Sequence, residues 1–188
     1  MTWRPGDRPL QNRHATRSTV MAQRGVVATS QPLASAAGLQ ILMDGGNAVD
    51  AAVTAAATLS VVEPTMTGMG GDLFAILHNG QTKKIHALNA SGRAPRSASL
   101  ERLAAAVGPG EPIPESGPLS VSVPGAVDGW QQLLRNHGTI SLARALEPAI
   151  HYARHGFAVS EIVAYPVSYT HLRAHETEAD GVCRLLLE

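Results

Sequence analysis

The sequence predicts a layered α+β fold on three observations. An alanine-rich helical run ends at a proline and a glycine-dense loop, two alternating segments flank an Asn-Gly pair, and two further helical patterns follow. Strands set between helices in this way make a sheet with helices packed against it.

Residues 30–44 read as the first helix, with Pro32 near its first position and Gly45 and Gly46 stopping it. A second helix is predicted over 48–62. Asn47 caps it, because its side-chain oxygen can accept an orphan backbone N–H. Glu63 and Pro64 end it, since the residue before a proline is pushed out of the α region. Ala34, Ala37 and Gly38 on one helix and Ala48, Ala52, Ala55 and Ala56 on the other offer small faces that let two backbones approach closely. Residues 73–78 and 82–89 then alternate like strands, and Asn79-Gly80 between them is a strong hairpin signal. Ser97 or Ser99 caps a short helix through Val107, residues 109–118 form a proline- and glycine-rich loop, and 120–123 read as a short strand. Pro124-Gly125 turns the chain into a helix through about Asn136, closed by Gly138; Ser141 opens a last helix that ends at Gly156.

A chain of 188 residues with 44% apolar and 16% charged residues has the balance of one globular domain with a sizeable core. Fifteen basic residues against fifteen acidic ones leave no global field, so nucleic acid is not expected as a partner. The longest apolar run, 48–62, is short, alanine-rich and interrupted by Asp50, so no membrane span is expected. Residues 1–24 carry Arg4, Arg8, Arg13, Arg17 and Arg24 against Asp7 and lack an apolar signal core, so they read as a solvated basic arm and the protein as cytoplasmic. The single Cys183 cannot form an internal disulfide.

Candidate chemistry is sparse. Gly68, Gly70 and Gly71 could cradle a phosphate, but a dinucleotide fingerprint needs strand, loop and helix in that order, whereas here a helix precedes and a strand follows. The loop is expected instead to be a tight turn that lines a cleft, with Asp72 either capping it or facing a ligand. Ser91-Gly92-Arg93 leaves the second strand, and Arg93 is the fixed cation at that point, suited to gripping a carboxylate or simply solvated. His78, His86, His137, His151 and His155 are scattered with no serine or cysteine partner, and read as surface or cap positions. From residue 165 the character changes. The string VSYTHLRAHET resembles the translated read-through of a sequencing adapter, so 165–188 is read as non-native, and His171, His175, Glu176 and Cys183 as no metal site despite the His-x3-His spacing. No metal or cofactor is expected.

Taken together, GGNAVDAA, VVEP, GMGGDLF, SVSVPGAVDGW and LARALEPAIHYARHGFAVS, in that order over 25–163, resemble the large subunit of the γ-glutamyltransferases, or glutathione hydrolases. The resemblance implies a four-layer αββα N-terminal nucleophile hydrolase fold, here an incomplete N-terminal portion over 25–164. It also implies a precursor that cuts itself to expose a threonine on a small subunit, so that no catalytic residue lies in this chain. The implied partners are that small subunit and a small-molecule amide substrate. Typical members carry an arginine in a D-x-R-E-x-A-P segment that grips the substrate's carboxylate, whereas this chain reads LNASGRAP, with Ser91 at the arginine position and Gly92 at the glutamate. That departure resembles a divergent branch that includes oxamate amidohydrolases and cephalosporin-acylase-like enzymes. It opens a second reading, hydrolysis of a small amide, and a third in which this chain alone has no activity.

Overall fold

The computed structural model describes residues 19–108, 110–114, 117–160 and 163–164. The basic arm up to residue 18 and the segment 165–188, with His171, His175, Glu176 and Cys183, lie outside the described residues. Among the described residues, five α-helices and one hairpin follow in the order α1 Pro32–Met43, α2 Ala48–Val62, β1 Leu73–His78, β2 Ile85–Ala90, α3 Leu100–Val107, α4 Ala126–His137 and α5 Leu142–His155. Helix α2 is central, packed by α1, α4 and α5, and the hairpin packs on α4 and on the core that α2 and α4 share.

Each helix begins where its local chemistry allows. Pro32 takes the first position of α1, two residues later than the range 30–44 sets its start, and Gln31 caps it, its side chain accepting from Leu33 N. Ser30 donates through its hydroxyl to the Glu63 carboxylate, tying the start of α1 to the end of α2. Asn47 caps α2 as expected, and Asp50 completes a reciprocal capping box by accepting from Asn47 N at 2.8 Å. Ser99 caps α3 and Ser141 caps α5.

The expected face of α2 holds in its second half, with Ala55 buried and Ala56 half-buried, and fails in its first, where Ala51 takes the place of Ala48 and Ala52. Ala51 and Ala55 face α1, where a Cβ on Gly38 would meet Ala51 O at 3.0 Å and Ala55 Cβ at 3.4 Å, while Ala48 and Ala52 are exposed. Alanines all round the helix make several rotations equally comfortable. Asp50 decides among them: its fully buried carboxylate accepts from Thr139 N at 2.8 Å, Thr139 Oγ1 at 2.5 Å and Ile140 N at 3.3 Å, across 89 and 90 residues of sequence. Asn47 Nδ2 adds a bond to His137 O at 2.7 Å. The core proper is Val53, Ala57, Trp130, Leu133, Leu134, Ala145 and Ala149, where each large side chain contributes about 1.5 to 3 kcal/mol by leaving water.

The second strand starts at Ile85, three residues later than its pattern predicts, and residues 79–84 form the loop. A two-residue Asn-Gly turn would pair Leu77 with Thr82 and Ala75 with Lys84, turning a lysine toward the core. The observed register pairs Leu77 with His86, Ala75 with Leu88 and Leu73 with Ala90. Asn79 still organises the turn, its side chain accepting from Gln81 N and Thr82 N at 3.0 Å each. The outer hairpin face leaves Phe74, Ile76 and Ile85 exposed. The strand expected over 120–123 is absent: a 3₁₀ turn, Pro118–Ser120, precedes an extended stretch that makes one backbone bond, Val123 N to Arg93 O, and no ladder.

Candidate functional site

The register of the hairpin fixes what meets at its open end. Leu73 pairs with Ala90, so the residues just before β1 and just after β2 lie side by side. Helix α4 is drawn to the same end by Gly129, where a Cβ would stand 2.6 Å from Leu73 Cδ2 and 2.9 Å from Ala90 Cβ. Three segments separated in sequence therefore converge: the end of the glycine loop (71–72), the strand exit (90–93) and the approach to α4 (122–126).

Backbone hydrogen bonds fasten the three. Gly71 O accepts from both Gly125 N and Ala126 N at 3.1 Å, so the glycine loop takes the place of a side-chain cap at the start of α4. Ser122 Oγ reaches Asp72 Oδ1 at 3.2 Å and Ser91 O at 3.4 Å. Asp72 thus neither caps its own loop nor stands free; it bridges to residue 122. Ser91 is held by its backbone, its N–H donating to Asn89 Oδ1 at 3.0 Å.

The glycines that close approach demands are not those of the GMGG run. Nothing lies within 4 Å of a Cβ built on Gly68 or Gly70, and the nearest atom to one on Gly71 is Gly68 O at 3.4 Å. Gly92, at φ +77°, is different: a Cβ there would lie 1.6 Å from Val123 O. One on Gly125 would lie 2.1 Å from Ala90 O. The Ser-Gly-Arg exit and the Pro-Gly turn are thus interlocked glycines, a pairing that only the structure reveals.

Arg93 is exposed, and its guanidinium makes no hydrogen bond or ion pair among the described residues, while its carbonyl is pinned by Val123. Arg96, three residues on, is a second exposed cation. Beyond them an open cleft of about 480 Å³ runs between the 94–98 segment, α3 and the 118–122 segment, lined among others by Pro95, Ser97, Arg102, Leu103 and Ser122. Arg102 donates to Ser97 O at 3.0 Å along that wall. The arrangement can hold an anionic group near the Arg93 loop and orient it, and the Ser122 Oγ–Asp72 Oδ1 contact at 3.2 Å joins two segments of its wall.

In the sequence Asp50 reads as a charge in an apolar run. Burial alone would raise its pKa, but the bonds from Thr139 Oγ1 and from the backbone N–H groups of Asn47, Thr139 and Ile140 outweigh that and hold it below the ordinary 3.8. It is a buried, ionised structural anchor 89 residues from its main partner. The histidines divide: His86 and His137 meet across the hairpin–α4 contact with ring centroids 4.9 Å apart, and His151 and His155 share a face of α5. No group of three or more His, Cys, Asp or Glu residues suited to a metal occurs among the described residues, and no helix among them is long and apolar enough to cross a membrane.

With this geometry in place, the comparisons with known proteins are decisive. The gamma-glutamyltranspeptidase family model matches residues 34–181. The chain belongs to that family. It is 42% identical over 144 residues, 76% of its length, to a glutathione hydrolase-like proenzyme of Bacillus subtilis. It is 36% identical over 154 residues, 79% of its length, to an oxamate amidohydrolase proenzyme of Klebsiella pneumoniae. The crystal structure of a cephalosporin acylase from Bacillus halodurans superposes with a TM-score of 0.77 at 41% identity, covering 95% of this chain and 32% of that one. The chain spans about a quarter of the curated relatives it matches, 26% and 28% of the two named. Its α+β architecture is thus a portion of the N-terminal nucleophile hydrolase fold of this family.

Proposed function

We propose that this family member is the front of the large subunit of a self-processing enzyme that hydrolyses or transfers γ-glutamyl amides such as glutathione. The observation that carries the reading is the convergence of the glycine loop, the Ser91-Gly92-Arg93 exit and the start of α4 at one hairpin end, next to a cleft, in a chain of this family. The exposed Phe74, Ile76 and Ile85 fit a sheet face that packs against the rest of a larger protein.

On this reading a threonine at the head of the small subunit, outside these 188 residues, attacks the amide carbonyl. Its own α-amine takes the hydroxyl proton, the amine leaves, and water or an amino acid resolves the acyl-enzyme. Backbone N–H groups hold the oxyanion. The part of this chain is binding and orientation: Arg93 meets the substrate's carboxylate, its loop held by the Gly92 and Val123 contacts. Alone, the chain is inactive.

One observation favours a second substrate class. Gly92 sits at φ +77° with a Cβ position 1.6 Å from Val123 O, so the glutamate of a D-x-R-E segment cannot replace it without moving the backbone. The cation stands at position 93, beyond the left-handed Gly92, rather than at position 91, and a cation displaced in this way suits a shorter substrate such as oxamate. The test is kcat/KM for Arg93→Ala in the full-length, self-processed enzyme, with oxamate and with γ-glutamyl-p-nitroanilide. Loss of a charge-assisted contact lowers it roughly 30- to 150-fold on the true substrate class. Unchanged values on both substrates would return Arg93 to the solvated surface.

A further inference from the structure

Helix α5 carries two histidines one turn apart, His151 and His155, both exposed, with ring centroids 4.6 Å apart and planes inclined by 36°. Residues at i and i+4 share a helix face, so the two rings point into the same solvent region. His155 Nδ1 lies 3.0 Å from the carbonyl oxygen of His151. A carbonyl only accepts, so Nδ1 carries a proton, and in the neutral ring Nε2 is the nitrogen with a lone pair for a metal. A ring nitrogen fixed by a backbone carbonyl is the usual way in which a metal-binding imidazole is oriented. The other ring is steadied by Tyr152, which meets His151 edge-on at 5.7 Å and Phe157 at 6.4 Å.

We propose that His151 and His155 form a two-histidine chelate for a borderline divalent ion, Zn²⁺, Ni²⁺ or Cu²⁺, with water completing the shell. Neutral imidazole nitrogen suits these ions, whereas Mg²⁺ prefers oxygen. A closed structural zinc site has four protein ligands; this pair has no third His, Cys, Asp or Glu among the described residues, so the ion is held in an open, exchangeable site. Arg154, in the same turn, places a positive charge beside it, and Glu147, one turn before His151, is engaged by Arg144. Arg154 lowers the affinity below that of a neutral surrounding, and Glu147, its charge engaged by Arg144, offsets little of that. The bound ion spans the last turn of α5, so occupancy and helix order are linked and the folded state gains stability with ion concentration.

The experiment titrates NiCl₂ and ZnCl₂ into the untagged 188-residue chain carrying His171→Gln and His175→Gln, which removes the other His-x3-His pair in the sequence. Calorimetry gives stoichiometry, and paramagnetic broadening by Ni²⁺ gives the residues. The expected result is one ion per chain, released by EDTA and not replaced by Mg²⁺, with at least a tenfold loss of affinity in His151→Gln and in His155→Gln and none in His78→Gln. The ion should raise Tm in the parent and leave it unchanged in the double variant. Both side chains are exposed, so the variants should match the parent's unfolding midpoint without metal. Absence of saturable uptake, uptake unaffected by both substitutions, or uptake lost instead in His86→Gln or His137→Gln would overturn the assignment.

Discussion

Replacing Asp50 by alanine should unfasten the helical half of the molecule. The carboxylate accepts from Asn47 N, Thr139 N, Thr139 Oγ1 and Ile140 N at 2.8, 2.8, 2.5 and 3.3 Å. A hydrogen bond to a charged group contributes about 1.5 to 3 kcal/mol, but ionised Asp50 also carries a desolvation cost of several kcal/mol. Thr139 is exposed enough for water to reach its donors once the carboxylate is gone, whereas the Asn47 and Ile140 donors are only half-exposed. The expected net loss is about 3 kcal/mol, a large share of the roughly 5 to 15 kcal/mol that holds a domain together. Urea unfolding followed by far-UV circular dichroism measures it at pH 7. Because the folded pKa is depressed below 3.8, the stabilisation is fully present above that value and lost as pH falls through the lower folded one. The gap between wild type and Asp50→Ala should therefore hold from pH 7 to about 5 and narrow below 3.8. A loss under about 1 kcal/mol, the size of an average substitution, or a gap that stays constant into acid, would refute the anchor role.

Other outcomes follow from the same geometry. Gly92→Ala combines a left-handed backbone with a Cβ 1.6 Å from Val123 O and should cost more than about 2 kcal/mol, while Gly68→Ala, with nothing within 4 Å, should stay within about 0.5 kcal/mol in the same urea assay. The 188-residue chain on its own should release no p-nitroaniline from γ-glutamyl-p-nitroanilide and no ammonia from oxamate; turnover above a heat-killed control would show that a nucleophile has been overlooked. Removing residues 165–188 should leave the urea midpoint unchanged, and a loss above about 1 kcal/mol would mark that segment as part of the fold.

Most elements could be read from the sequence because their signals are local. Pro32, Asn47, Ser99, Ser141 and the stop at Glu63-Pro64 each act within one helical turn, and the helices start and end within a residue or two of where those residues place them. What failed was set by distant partners. The Asn79-Gly80 pair suggests a tight turn, but the need to keep Lys84 out of the core and bring Leu88 and Ala90 in moves the register. The alanines of α2 do not encode a rotation; Asp50 does, through residues 139 and 140. A hint existed in Asn47-x-x-Asp50, the spacing of a capping box, although nothing in it points to Thr139. Of the three converging segments, the glycine loop and the Ser91-Gly92-Arg93 exit stand out in the sequence and 122–126 reads there only as a strand end and a turn; their meeting depends on the Leu73–Ala90 pair and on glycines 92, 125 and 129, whose necessity lies in contacts that sequence spacing does not carry.

The central claim is that this chain builds the binding wall of an enzyme whose nucleophile is made by self-cleavage. Intact-mass analysis of the purified full-length gene product tests it most directly. The account predicts two polypeptides, the larger containing residues 25–164 of this sequence and the smaller beginning with threonine, and an uncleaved, inactive precursor when that threonine is replaced by alanine. A single uncut chain that turns over γ-glutamyl-p-nitroanilide or oxamate would contradict it.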